Sequence, residues 1–138
     1  LPHGEFNERE KKQVANPGFQ KNYNAVAAIS AYHIVKPSGV NDGEVVPAAA
    51  STDPIIGVSQ NIDVASGQFV DVIHSDSANV VSGGVIAFGD PLTSDANGCA
   101  IKAVPAAGAN MRLIGQALSS GVAGDIIPVL VNPGSMQG

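Results

Sequence analysis

Four adjacent polar residues, His74-Ser75-Asp76-Ser77, contain the side-chain types from which a hydrolytic triad is made. A triad needs a nucleophile, a base and an orienting acid that meet in a pocket. Four neighbours in one run between two apolar stretches read instead as a connection between strands. His3 and His33 stand apart from other ligand-type residues. No HxxxH, CxxC or HExxH spacing offers a metal cage. Asp63, Asp71 and Asp76 are the acidic residues that could approach a Ca²⁺ ion, but they lack the D-x-D-x-D-G loop and read as solvated turn carboxylates. "SGGVIAFGD" (Ser82 to Asp90) lacks the G-K-[ST] ending of a phosphate loop, and "SSGVAGD" (Ser119 to Asp125) leads into a strand instead of a helix N-terminus. Cys99 follows Asn97-Gly98 with no histidine near it in the sequence to lower its pKa, so it reads as a spectator thiol. The residues therefore predict no enzyme, no metal site and no cofactor.

The elements that would carry such residues are short. The chain has 138 residues, 44% of them hydrophobic and only 14% charged, with 16 Gly, 9 Pro and six aromatics. This mixture fits one compact all-β domain better than disorder, which goes with low hydrophobicity and high charge. Apolar runs recur as "YNAVAAIS", "EVVPAA", "PIIGVSQ", "QFVDVIHS", "NVVSGGVIAF", "CAIKAVPA", "RLIGQAL" and "DIIPVLV", separated by turn-forming residues. Gly43 and Gly98 follow Asp42 and Asn97 in tight-turn pairs. Pro47, Pro105 and Pro128 lie inside apolar runs and predict strand ends, edges or bulges, because proline cannot donate to a ladder. No run reaches the roughly 18–20 apolar residues of a membrane-spanning helix, and "LPHGEFNERE" has no signal-peptide core. The single cysteine excludes an internal disulfide and is compatible with synthesis in a reducing compartment. The net charge is −5, and the region after Lys36 is acidic, which argues against direct binding to a phosphate backbone.

The chain also repeats itself. "VPAAGANMRLIGQAL" (Val104 to Leu118) echoes "VPAAASTDPIIGVSQ" (Val46 to Gln60) at an offset of 58, so that Gly115 answers Gly57. "VAGDIIPVL" (Val122 to Leu130) answers "ASGQFVDVI" (Ala65 to Ile73), with Gly124 matching Gly67. Two units, about 22–76 and 80–131, predict a pseudo-symmetric barrel or sandwich in which each half covers the other's apolar face. Gly43, Gly57, Gly67, Gly98, Gly115 and Gly124 are assigned as its structural turns. Gly57 and Gly115 are also expected to allow close packing or a bend.

Residues 1–21 differ from this body, which is taken as 22–138. "NEREKKQVA" has Asn7 as an N-cap, good helix formers and "NPG" as a stop, but so short a helix is marginal without support. The segment is expected to be a short N-terminal arm, extended or partly helical. It would contact a partner through Phe6, Arg9, Lys11, Lys12, Phe19 and Tyr23.

The segment "VVPAAASTDPIIGVSQNIDVASGQFVDVI", with "GDPLTSDANG" at Gly89 to Gly98 and "IGQALSSGVAGDIIPV" at Ile114 to Val129, resembles the small capsid cement, or head-decoration, proteins of tailed bacteriophages. The similarity covers about residues 23–131 and rests on turn and core motifs. It implies a β-rich homotrimer on the outer surface of the virion, made in the host bacterial cytoplasm. Such a trimer would bridge subunits of the major capsid protein, with no nucleic-acid or membrane partner. The alternative function is a carbohydrate- or host-surface-binding β-module of a virion or secreted adhesin, with Tyr23 or Tyr32 at its site. The absence of Trp and the scarcity of aromatics count against it.

Overall fold

The computed structural model describes residues 19–138. They form ten β-strands and no helix. The first five are β1 (Gln20–Ala25), β2 (Ile34–Pro37), β3 (Glu44–Pro47), β4 (Gly57–Ser59) and β5 (Phe69–Ile73). They close into a barrel of order β1-β3-β2-β4-β5. The next five are β6 (Asp76–Val81), β7 (Pro91–Ser94), β8 (Ala100–Lys102), β9 (Asn110–Ala117) and β10 (Ile126–Gln137). They form a sheet of order β6-β10-β9-β7-β8.

The second sheet repeats the first strand for strand. In β1–β5, Gln20 pairs with Ile73; 57 positions on, Ser77 pairs with Leu130 in β6–β10. The isolated bridge Ile29–Val64 recurs as Ile86–Gly121. The parallel β1–β3 pair Ala25–Val45 survives in the second unit as the single parallel bridge Ser82–Ala100, which links β6 to β8. Even a side-chain cap recurs, since Gln68 accepts the Ala65 N–H (2.7 Å) and Asp125 accepts the Val122 N–H (2.9 Å). The predicted all-β architecture of two like units is what the chain adopts, as one closed barrel and one sheet of the same strand order.

The details differ from the sequence expectation in several places. β2 and β7, each four residues long, are absent from the list of apolar runs. Gln20 and Lys21, assigned to the arm, are strand residues of β1. The "VPAA" echo is not a structural equivalence. Ala48 donates to the Ile34 carbonyl and Ala103 to the Pro91 carbonyl, so Ala48 corresponds to Ala103 and not to Ala106. The turn between β7 and β8 is shorter than its counterpart, and the stretch from Ala103 to Gly115 is longer than that from Ala48 to Gly57, which shifts the two phrases out of step. Gly43, Gly67, Gly98 and Gly124 occupy positive-φ positions between strands. Gly57 and Gly115 lie inside β4 and β9, where a Cβ would strike the carbonyls of Ile73 and Leu130. Close approach, not a turn, is their role. Pro47 ends β3, and Pro105 follows β8. Pro128 sits within β10 just where its ladder to β9 gives out, beyond the Val129–Ala117 pair.

One apolar cluster joins the units: Ile34, Val58 and Ile73 pack in the same core as Val80, Leu92, Ile114 and Val129. A second cluster, including Ile29, Val35, Val45 and Val72, fills the barrel. Backbone bonds stitch the halves together. The Val81 N–H donates to the Tyr32 carbonyl (2.9 Å) and the Ile34 N–H to the Gly98 carbonyl (2.7 Å). Gly98, at φ 80, lets the β7–β8 tip come so close that a Cβ there would meet the Ile34 carbonyl oxygen at 3.0 Å.

Candidate functional site

The fold distributes the chemistry-bearing residues and does not assemble them. His74 and Ser75 form the connection between β5 and β6 and so join the two units. The Ser75 hydroxyl is not poised beside the imidazole as a nucleophile; it accepts the Phe19 N–H (3.0 Å). Asp76 holds φ 65 as the first residue of β6. His74 faces an aromatic pair instead. Its Nε2 lies 2.8 Å from the Tyr23 hydroxyl, and its ring centroid is 5.1 Å from that of Phe19. Burial holds the His74 pKa below the ordinary histidine value, and Lys21 pushes it the same way, against a backbone hydrogen bond at Ile56. The imidazole is therefore neutral near pH 7, and its Nε2 accepts the Tyr23 proton. Burial also raises the Tyr23 pKa, which keeps the hydroxyl a donor.

Cys99 does have a histidine near it in space, contrary to the sequence expectation. Its Sγ is 3.5 Å from His33 Nε2. His33 Nδ1 lies 2.8 Å from the Ala31 carbonyl and must donate to it, so Nε2 carries the lone pair and accepts from the thiol. Burial, reinforced by the charge of Asp95, raises the thiol pKa. With its thiolate disfavoured in this way, Cys99 is the reverse of an activated nucleophile.

The acidic candidates are equally dispersed. Asp63 accepts the Ala31 N–H (2.7 Å), and Asp71 accepts the Asn22 side-chain amide (3.0 Å). Among the described residues no cluster of three or more His, Cys, Asp or Glu side chains could hold a metal. The two glycine-rich segments pair with each other through the Ile86–Gly121 bridge, which makes them structural. None of the described residues forms a helix long and apolar enough to cross a membrane.

What remains is surface. Phe19, 57% exposed, and half-buried Tyr23 lie at the start of β1 beside His74. Phe6, Arg9, Lys11 and Lys12 lie outside the described residues. At the far tip of the second unit, Val85 (79% exposed), Phe88 (72%) and Val122 (54%) stand out around the Ile86–Gly121 bridge. The equivalent positions of the first unit are Ala28, Ala31 and Ala65. At these three positions the same backbone thus carries alanines in one unit and large apolar side chains in the other. Comparison of the repeats residue by residue would have flagged these three; a search for polar chemistry passed over them.

Comparison with known proteins agrees with a structural role. No curated protein sequence matches the chain. The crystal structure of the head fiber gp8.5 N base in bacteriophage phi29 matches with a TM-score of 0.64 and 22% identity, covering 83% of this chain and 93% of that one. At that identity the likeness establishes a shared fold. A family model described as phage cement protein matches residues 27–132, from the β1–β2 connection into β10. The match takes in β2 to β9 and the first part of β10, and so reaches across both units, and the chain belongs to the phage cement proteins, a family of structural proteins of the phage head and not of enzymes.

Proposed function

We propose that the protein decorates the outer surface of a phage head as a homotrimer and stabilises the shell by bridging neighbouring subunits of the major capsid protein. The family match across both units carries this reading. A rigid body with one continuous core between its halves supports it, because a clamp must transmit strain without yielding. The exposed apolar tip at Val85, Phe88 and Val122 supports it too, since large apolar side chains gathered at a surface mark an interaction site. Residues upstream of β1 act as a separate arm. In it Phe6, Arg9, Lys11 and Lys12 reach the capsid, with Phe19 and Tyr23 contacting it at the junction with the body. Three modest contacts on one rigid trimer can gain about 10²–10⁴ in avidity over a single one. Unpaired Cys99 is in keeping with synthesis in the reducing cytoplasm of the bacterial host.

The test is co-sedimentation of the purified protein with undecorated phage heads. Saturable binding that raises the temperature at which heads release DNA is expected. Deleting residues 1–18 should leave the β-body folded by circular dichroism and weaken binding. Full-length protein that ignores heads entirely would overturn the reading.

A further inference from the structure

Two open strand edges lie on different units of the molecule. The first belongs to β10, whose pairing with β6 ends at Val131–Asp76 while its pairing with β9 runs on to Gln137–Asn110. Residues 110–113 and 134–137 therefore form a two-stranded ribbon beyond the sheet, and residues 132–138 are exposed throughout. The Gly138 N–H donates to Ala109 and its carbonyl accepts from Gly108, so Gly138 faces β9. Alternation along the strand then turns the backbone groups of Ser135 and Gln137 away from β9. Consistently, Arg112, the partner of Ser135, sends its own N–H away from β10, to the Ser51 carbonyl (2.7 Å). A two-stranded ribbon is marginal in water by itself, and an unpaired edge is a template for another strand.

The second open edge belongs to β1. Asn24 donates to Gly43 on the β3 side, so Gln20 and Asn22 direct their backbone groups to the same side. β3 pairs with β1 only at Asn24 and Ala25. Among the described residues no strand covers that side of Gln20 and Asn22. A cavity of about 450 Å³ lies beside the β1–β3 pairing, lined by Tyr23 of β1 together with Val40, Asp42, Glu44 and Ile56.

The two edges are matched in length, and the cavities beside them are lined by charges of opposite sign, with Lys21 of β1 set over the Tyr23 ring (5.6 Å to its centroid). Each offers two residues with outward N–H and C=O groups. The cavity along the ribbon is lined by Arg112 together with Asn110, Ser135 and Gln137. The one along β1 carries Asp42 and Glu44. None of these three charged groups is in an ion pair among the described residues.

We infer that the β10 edge at Ser135–Gln137 seats against the β1 edge at Gln20–Asn22 of a second copy of this chain, with Arg112 facing Asp42 and Glu44. The contact joins two different patches, so it repeats head to tail instead of making a two-fold dimer, and a three-fold rotation closes it into a ring. Main-chain bonds supply the attachment, and the charges set which edge meets which. The inference rests on the trimer reading above and assigns its interface.

Native mass spectrometry of the full chain tests it at moderate salt. The wild-type protein should appear at three times 13.9 kDa. Arg112→Glu and Asp42→Arg should each fall to the mass of one copy, and the double variant should recover the trimer. Ser135→Pro, which removes an outward N–H and leaves the β9 ladder intact, should also dissociate it; circular dichroism checks that each variant is folded. A wild-type mass of 13.9 kDa overturns both the interface and the trimer. A trimer indifferent to all three single substitutions overturns the interface alone. If those substitutions spare the trimer but abolish binding to heads, the edge serves the capsid and the inference is equally overturned.

Discussion

Tyr32 occupies the backbone position that Gly89 fills in the second unit. Tyr32 has φ 62 and donates its N–H to the Gln60 carbonyl (3.1 Å). Gly89 has φ 93 and donates to the Ala117 carbonyl (2.8 Å), the same bond 57 positions on. Left-handed φ costs a residue with a Cβ about 1–2 kcal/mol relative to glycine. One copy of the repeat therefore tolerates strain that the other avoids.

Substitution separates this strain from packing. Nothing lies within 4 Å of a Cβ built on Gly89, so Gly89→Ala should lose about 1 kcal/mol through the backbone alone. At position 32 both Gly and Ala remove the half-buried ring, and Tyr32→Gly should be the more stable of the two by about 1 kcal/mol. Urea midpoints measure both differences. A Tyr32→Ala variant at least as stable as Tyr32→Gly would refute a left-handed Tyr32.

Gly57 and Gly115 make a second matched pair, both constrained by space, with Gly115 also held at φ 152, which L side chains rarely adopt. A Cβ on either would strike a main-chain carbonyl of the adjacent strand, Ile73 or Leu130, and a carbonyl held in a ladder has nowhere to retreat. Gly57→Ala and Gly115→Ala should each destabilise the fold by about 1–3 kcal/mol, the usual cost of overpacking. Chemical denaturation of the two variants checks this. Equal stability with wild type at either position would mean the strands are further apart than described.

These pairs mark how far the sequence can be read. The "IIG" and "LIG" phrases were legible because steric need fixes glycine at both places, and the terminal strands "FVDVI" and "IIPVL" because burial fixes their apolar pattern. The "VPAA" phrases misled, since Val104 lies exposed after β8 while Val46 is part of β3. Small-residue turns recur for reasons of composition as well as descent. Tyr32 could not be aligned with Gly89 by type, since they share only a dihedral angle. The His33–Cys99 contact joins residues 66 positions apart and depends on the β7–β8 tip docking against the barrel, which no local pattern encodes. The open edges were hidden for a related reason: an edge is defined by where pairing stops on a neighbouring strand.

Protonation of His74 should couple stability to pH. Burial first, then Lys21, lowers its pKa in the folded protein. The unfolded chain thus binds more protons than the folded one as pH falls through the ordinary histidine value of 6.5. The stability contributed by neutral His74 is complete above that value and drains away below it, until pH reaches the lower folded value. The melting temperature should fall between pH 7 and pH 5, and His74→Asn should flatten that part of the curve. An unchanged slope in the variant would assign the dependence elsewhere; among the described residues Asp53 is the other group with a lowered pKa. Asp53 pairs with Lys36 at 3.1 Å and would act in a more acidic range.

Cys99 offers a direct test of the distinction between a structural and an activated thiol. A cysteine beside a histidine becomes reactive when the ring takes its proton and the resulting charge is stabilised. Here burial and the Asp95 carboxylate both oppose the thiolate. The Asp95 carboxylate is also anchored by the backbone N–H groups of Asn97 and Cys99 (2.8 and 2.9 Å), so it cannot swing away. Alkylation by iodoacetamide at pH 7.5 should accordingly run slower than that of free cysteine, on the order of tenfold, because it follows the thiolate fraction. Asp95→Asn should speed it by removing the opposing charge, while loosening the β7–β8 turn. Wild-type alkylation faster than free cysteine would mean that His33 deprotonates the thiol, and the pair would then have to be treated as a nucleophile awaiting a substrate.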